Sequence, residues 1–132
     1  MTTITVSLAM AEKLKIAGWA HADSVHYWCL RLMSEEMVLV HSSAAWVDAD
    51  AILADINIAA PTAEEILRKL PKIIVHKEFH SRLYITPYEN DYEVGYSPQW
   101  NGGIKLNKAE ESLADAAAAM TCYLVEQGLL SL

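Results

Sequence analysis

The stretch SLADAAAAMTCYLVEQGLL, residues 112–130, decides the fold because it contains a helix start, a helical repeat of apolar residues and a helix stop. Ser112 and Asp115 have the spacing of a capping box, with the acidic residue at the positive end of the helix dipole. Gly128 supplies the left-handed residue that ends a helix and places Leu129 to fold back on Leu124. The pattern predicts a long C-terminal helix that covers an apolar layer. The positions that recur at helical spacing are Leu113, Ala116, Ala117, Met120, Leu124 and Gln127.

Two further helices are predicted from their end signals. Leu8–Ala17 has an apolar face and is followed by Gly18, so that Trp19 can pack on Leu14 as in the C-terminal helix. Thr62 with Glu65 forms a second capping box, and the short helix that it starts ends at Pro71.

Five strands are predicted from β-branched and aromatic runs. The first two read as an antiparallel hairpin, and residues 97–107, with one proline and two glycines, read largely as loop. The predicted fold class is therefore α+β: an antiparallel sheet of about five strands, packed by an N-terminal helix, a short central helix and a long C-terminal helix. The predicted strands are Val25–Met33, Met37–Ser42, Lys72–His76, Ser81–Tyr88 and Tyr92–Tyr96.

Tyrosines mark the predicted interaction surface. If the turn Glu89–Asp91 has three residues, Tyr88 lies opposite Tyr92 and Tyr84 opposite Tyr96, all on one face of the sheet. Such rings could pack under the C-terminal helix, form an edge for a protein partner, or stack RNA bases. Tryptophans in irregular segments can carry interface energy or anchor their loops. The candidate interaction residues are Tyr84, Tyr88, Tyr92, Tyr96, Trp46 and Trp100.

Length and charge limit the classes of function. The 132 residues suit a single domain, 1–132, with a possible sub-boundary in residues 43–60, which read as a short helix or a wrapped loop. The net charge of −7 disfavours nucleic-acid binding, although an acidic surface could mimic nucleic acid to a basic partner. With no leader-like segment and no apolar run of about 20 residues, we expect a cytoplasmic protein that does not enter the membrane.

Residues able to carry chemistry do not form a recognisable motif. His76 and His80, or His26 and Cys29, would need a tight turn or a bulge to meet, and both Cys29 and Cys122 are expected to be free thiols. Asp48, Asp50 and Asp55 lack the pattern of a calcium loop, and Glu89, Asp91 and Glu93 surround a predicted turn. We therefore predict no catalytic residue, no metal site and no cofactor.

Three segments support a resemblance. Ala11–Trp19, Ala60–Pro71 with the Leu-Tyr-Ile strand that follows, and Glu111–Leu130 resemble a group of small uncharacterised phage or prophage proteins. The resemblance implies a bacterial host cell and no particular reaction. More weakly, strands followed by an acidic-capped helix are similar to antidote domains of the HicB type. The helix, three strands, helix order from Thr62 is similar to double-stranded-RNA-binding domains, whose basic helix start is missing here.

The leading functional hypothesis is a non-enzymatic phage or prophage accessory protein that binds a protein partner or itself. One alternative is an antidote-like or RNA-associated regulator that uses the tyrosine face. The other is a small enzyme with a Cys/His or carboxylate site.

Overall fold

The computed structural model describes residues 5–20, 23–31, 36–41, 58–76, 79–98 and 106–132. These ranges contain three helices and seven strands, which confirms the α+β class. The helices are α1 (Leu8–Ala17), α2 (Ala63–Lys69) and α3 (Leu113–Glu126). The strands are β1 (His26–Arg31), β2 (Glu36–His41), β3 (Ile58–Ala59), β4 (Ile73–His76), β5 (Phe79–Pro87), β6 (Tyr92–Pro98) and β7 (Leu106–Glu110).

The strands form two antiparallel sheets, so the expectation of one five-stranded sheet was wrong. One sheet has the order β2-β1-β3 and the other has the order β4-β5-β6-β7. The predicted β1–β2 hairpin is confirmed, with His26 opposite His41. The third strand of that sheet, β3, contributes only Ile58 and Ala59, which pair with Trp28 and Tyr27.

The helix ends follow the sequence signals. Gly18 has φ +108°, and the Trp19 amide donates to the Leu14 carbonyl oxygen over 3.0 Å. Gly128 has φ +72°, and the Leu129 amide donates to Leu124 over 2.8 Å, so both glycine stops are confirmed. At α2, both hydrogen bonds of the Thr62–Glu65 capping box are present, at 2.8 and 3.2 Å.

Helix α3 is the centre of the core and not only its cover. It packs against α1, α2, β6 and β7. Contact on several sides requires small residues, since a larger side chain would hold the neighbouring elements apart. The fully or almost fully buried residues of α3 are Ala114, Ala116, Ala117, Ala118, Met120, Thr121 and Leu124.

The start of α3 is tied to the start of α1. The Ser112 hydroxyl accepts from the Asp115 amide at 3.1 Å, and the Asp115 carboxylate accepts from the Ser7 amide at 2.8 Å. Ser7 itself caps α1 by accepting from the Met10 amide. Asp115 therefore links the starts of α1 and α3. In a complete capping box its carboxylate would accept from the Ser112 amide, whereas here it accepts from the Ser7 amide.

The hairpin of β5 and β6 differs from the prediction by one residue. Tyr88 donates its amide to the Asp91 carbonyl oxygen, and Pro87 lies opposite Tyr92, so the turn comprises two residues, Glu89 and Asn90. Tyr84 consequently lies opposite Gly95, not opposite Tyr96. The four tyrosines do not share one face, because a shift of one residue moves a strand's side chains to the other face.

Several sequence predictions lie outside the described residues. These include the conformation of residues 43–57, the Asp48, Asp50 and Asp55 group, and the tryptophans Trp46 and Trp100. None of the helices in the described ranges is long and apolar enough to cross a membrane.

Candidate interaction surface on the open face of the sheet

The four-stranded sheet has one covered face and one open face. Ile74, Val94 and Tyr96 point toward the helices and are 7%, 0% and 0% exposed. The opposite face, here called the outer face, has no helix packed on it within the ranges that the structure describes. By register, its residues are Ile73, Val75, His80, Arg82, Tyr84, Thr86, Glu93, Gly95, Ser97, Asn107 and Ala109, with Tyr88 just past the end of β5.

The tyrosines predicted as interaction residues therefore divide into two pairs. Tyr84 and Tyr88 lie on the outer face, and Tyr88 is 55% exposed. Tyr96 is fully buried and donates its hydroxyl to the Pro71 carbonyl oxygen over 2.6 Å, while Tyr92 packs against the core. Burial raises the pKa of Tyr96, as expected for a hydroxyl held away from water. Only Tyr84 and Tyr88 can meet a partner on the outer face.

Glu93 is the polar centre of the outer face and was not singled out from the sequence as a site residue. Its side chain is 8% exposed, although carboxylates are seldom buried without hydrogen-bond donors. The Asn107 amide donates to Oε1 at 2.6 Å, and the Tyr88 hydroxyl donates to Oε2 at 3.2 Å. Asn107 on β7 and Tyr88 just past the end of β5 together fix the direction of the carboxylate.

The carboxylate changes the acidity of the tyrosines around it. Burial, followed by the charge of Glu93, raises the pKa of Tyr84 to about 12. The hydrogen bond to Glu93, followed by the same charge, raises the pKa of Tyr88. Both hydroxyls therefore stay protonated at neutral pH and remain hydrogen-bond donors rather than general bases.

An open hollow of about 520 Å³ lies at the turn end of the outer face. It is lined by the turn residues Tyr88, Glu89, Asn90, Asp91 and by Glu93. Three of these five are carboxylates beside an exposed aromatic ring, whereas Arg82 and His80 lie toward the other end of β5. The turn end of the face is thus negative and the other end is not.

A second depression lies between α1 and α3. This groove, of about 540 Å³, is lined by Met10, Lys13, Ile16, Cys122 and Tyr123 among others. Burial, followed by the charge of Glu126, raises the pKa of the Cys122 thiol, which makes it a poorer nucleophile. No histidine is among the lining residues that the structure describes, so the groove does not bring Cys122 together with the histidine of a Cys/His site.

The other sequence candidates for chemistry are not brought together. Cys29 is fully buried, and the regular pairing of β1 puts it on the opposite face from His26. His76 and His80 occupy adjacent hairpin pairs, opposite Phe79 and Val75. Within the described ranges, no three His, Cys, Asp or Glu side chains are close enough to hold a metal ion.

Comparison with known proteins gives no relative from which a role could be transferred. No family model matches the chain, and no curated protein and no solved structure is significantly similar to it.

Proposed function

We propose that this chain is a non-enzymatic interaction protein whose outer face binds an extended, basic segment of a partner protein. The observation that carries the proposal is the acidic hollow beside Tyr88 and the oriented carboxylate of Glu93, at one end of an otherwise open sheet face. An extended segment suits a sheet face because its side chains alternate with the same spacing.

Charge complementarity selects the partner's chemistry. Glu89, Asp91 and Glu93 line the hollow, and the whole chain has a net charge of −7, so a cationic segment is attracted both at long range and on contact. An arginine fits this arrangement well. Its planar guanidinium can donate two hydrogen bonds to the exposed carboxylate of Glu89 and can stack on the exposed ring of Tyr88, while Glu93 adds its negative charge to the hollow.

The proposal is tested with a defined probe. A fluorescein-labelled peptide that alternates arginine and valine is titrated with the protein, and binding is read as fluorescence anisotropy. We expect Glu93→Gln and Glu89→Gln each to weaken binding by about 5-fold to 10-fold, because each removes one charge from the hollow. The peptide with citrulline in place of arginine should bind much more weakly.

The matched control distinguishes binding at the acidic hollow from nonspecific electrostatic attraction to an acidic protein. Glu64→Gln removes an equally negative side chain on α2, where Glu64 is 74% exposed and pairs with Arg68. We expect Glu64→Gln to leave the affinity almost unchanged. Equal losses in all three variants would mean that net charge alone attracts the peptide, and the proposal would then fail.

The other functional hypotheses find less support. The base-stacking RNA surface predicted from the sequence has four rings on one face, whereas the register puts only Tyr84 and Tyr88 on the outer face, beside carboxylates and not beside basic side chains. We expect no binding of single-stranded RNA even at low salt. The phage or prophage setting stays a prediction that depends on the resemblance of the sequence segments.

A further inference from the structure

Strand β4 is an edge of the four-stranded sheet. It pairs with β5 on one side, and among the described residues no strand pairs with its other side. Alternate N–H and C=O groups of an edge strand point away from the sheet and can accept a further strand.

The side chains of β4 give this edge an apolar character. Ile74 points into the core and is 7% exposed, whereas Ile73 and Val75 are 45% and 58% exposed on the outer face. Edge strands usually carry charged side chains or prolines that prevent pairing. In the described part of β4, two β-branched apolar side chains occupy the outward positions instead.

We infer that β4 pairs with β4 of a second copy of this chain, in antiparallel orientation about a two-fold axis at Ile74. The two Ile74 residues then lie opposite each other, and Ile73 of each copy lies opposite the second copy's Val75. Each exposed apolar side chain thus meets an exposed apolar side chain, and the two sheets join into one of eight strands.

The antiparallel orientation keeps the like charges of the two copies apart. Antiparallel pairing keeps the two Lys72 residues at opposite ends of the paired strands, about 14 Å apart along them. Tyr88, at the acidic hollow, lies seven residues along β5 from Ser81, the residue that pairs with Ile74. The two-fold axis therefore places the two acidic hollows at opposite ends of the dimer, about 45 Å apart along the strands. Since this distance is several screening lengths in physiological salt, the hollows repel each other little.

The pairing occupies the β4 edge of the outer face and leaves the acidic hollow of the basic-peptide proposal, at the turn between β5 and β6, open in each copy. Four-residue strands and two pairs of apolar side chains bury less area than a standard interface, so the dimer is weak. We expect a dissociation constant on the order of 10–100 μM, a weak affinity in keeping with the small buried area.

Sedimentation equilibrium tests the inference over about 10 μM to 1 mM protein, a range that spans the expected dissociation constant. The mean mass should rise from 14.7 kDa toward twice that value. Val75→Lys should keep the protein monomeric over this range, because it places a charge against an apolar side chain. Val75 is exposed, so circular dichroism should show an unchanged fold. Ile16→Lys, which replaces an apolar residue that is 88% exposed on α1, is the matched control and should dimerise like the wild type.

Disulfide trapping tests the register. Ile73→Cys and Val75→Cys are made separately in a Cys122→Ala background, and Cys29 is fully buried. Residues directly opposite each other lie about 5 Å apart and can be bridged, whereas the same position in two copies lies about 8 Å apart, beyond disulfide reach. Mixing the two variants should therefore give a disulfide-linked dimer that neither variant forms alone.

Three results would overturn the inference: a monomer at the highest concentration, a dimer that survives Val75→Lys, or equal cross-linking of each cysteine variant by itself. Peptide binding to the outer face is measured separately, so its loss and the loss of dimerisation are distinguishable.

Discussion

Glu93 shows how a buried charge organises its surroundings at the scale of single residues. Its position on β6 was visible in the sequence only as one of three acidic residues around a turn. The burial depends on Asn107 of β7 and on Tyr88, which both lie diagonal to it across the sheet. The spacing of residues along β6 does not show which residues of the adjacent strands lie next to Glu93. In addition, a register error of one residue would place Glu93 on the wrong face.

Replacing Glu93 should change the titration of Tyr84. We expect Glu93→Gln to lower the pKa of Tyr84 from about 12 toward its ordinary value of 10.0, because a negative charge and a strong acceptor are removed while burial remains. The measurement is tyrosinate absorbance against pH, with Tyr84→Phe identifying the contribution of this ring. Glu89→Gln, a more exposed carboxylate in the same hollow, is the control and should leave the pKa of Tyr84 close to its wild-type value.

The raised pKa of Tyr84 also makes the free energy of unfolding depend on pH. The folded state favours the neutral hydroxyl of Tyr84, so the contribution of this residue to stability is complete below pH 10 and is lost as the pH rises toward 12. A Tyr84 pKa unaffected by Glu93→Gln would show that burial alone sets the pKa.

At the scale of elements, the caps and glycine stops predicted the helices more accurately than residue patterns predicted the strands. The bounds of α1 were predicted as observed, and both glycine stops are confirmed, because caps are local and their residues adjoin the helix. Strand β7 was missed since Asn107, Lys108 and Glu110 have low strand propensity, and β3 is too short to show alternation. The division into two sheets depends on pairings between distant segments, which no local pattern encodes.

The register of β5 and β6 was mispredicted for a physical reason that the residues make clear. The observed pairing turns Leu83 toward the core and leaves Arg82 and Tyr84 outside, whereas the predicted pairing would have put Tyr84 inside. Burying the aliphatic side chain and leaving the guanidinium in water decides the register.

The glycine stop of α3 can be tested by substitution. A Cβ atom at Gly128 would meet no atom within 4 Å, so its φ of +72° is the only source of strain in Gly128→Ala. We expect a loss of about 1–2 kcal/mol in the free energy of unfolding, measured with urea. Gly128→Asn should cost less, since asparagine tolerates the left-handed region. Equal stability of the alanine variant and the wild type would contradict the role of this stop.

At the scale of the whole molecule, α3 packs against both other helices and the four-stranded sheet, while α1 contacts β3 of the three-stranded sheet. The main core includes Leu14 of α1, Ile66 of α2 and Val94 of β6, together with the half-buried Trp28 of the three-stranded sheet. The sequence predicted a helix over an apolar layer, but contact on several sides became visible only when α1 and α2 were placed beside it. The run of alanines in α3 allows this close packing, because small side chains let the neighbouring elements approach the helix.

Two alanines of α3 offer a paired test of this crowding. Ala117 is fully buried, whereas Ala119 is partly buried and borders the groove toward α1. We expect Ala117→Leu to lower the free energy of unfolding by about 1–3 kcal/mol because the added atoms have no space. Ala119→Leu should have a much smaller effect, since its side chain can extend into the groove. Equal losses measured by urea unfolding would show that α3 is not more tightly packed at Ala117.

The central position of α3 also has a consequence for synthesis on the ribosome. Residues 113–126 come after every strand and both other helices in the described chain, yet they pack against α1, α2, β6 and β7. A nascent polypeptide halted before Leu113 would leave Val94 and Tyr96 facing water, so it would be a substrate for chaperones and proteases until translation supplies the last helix.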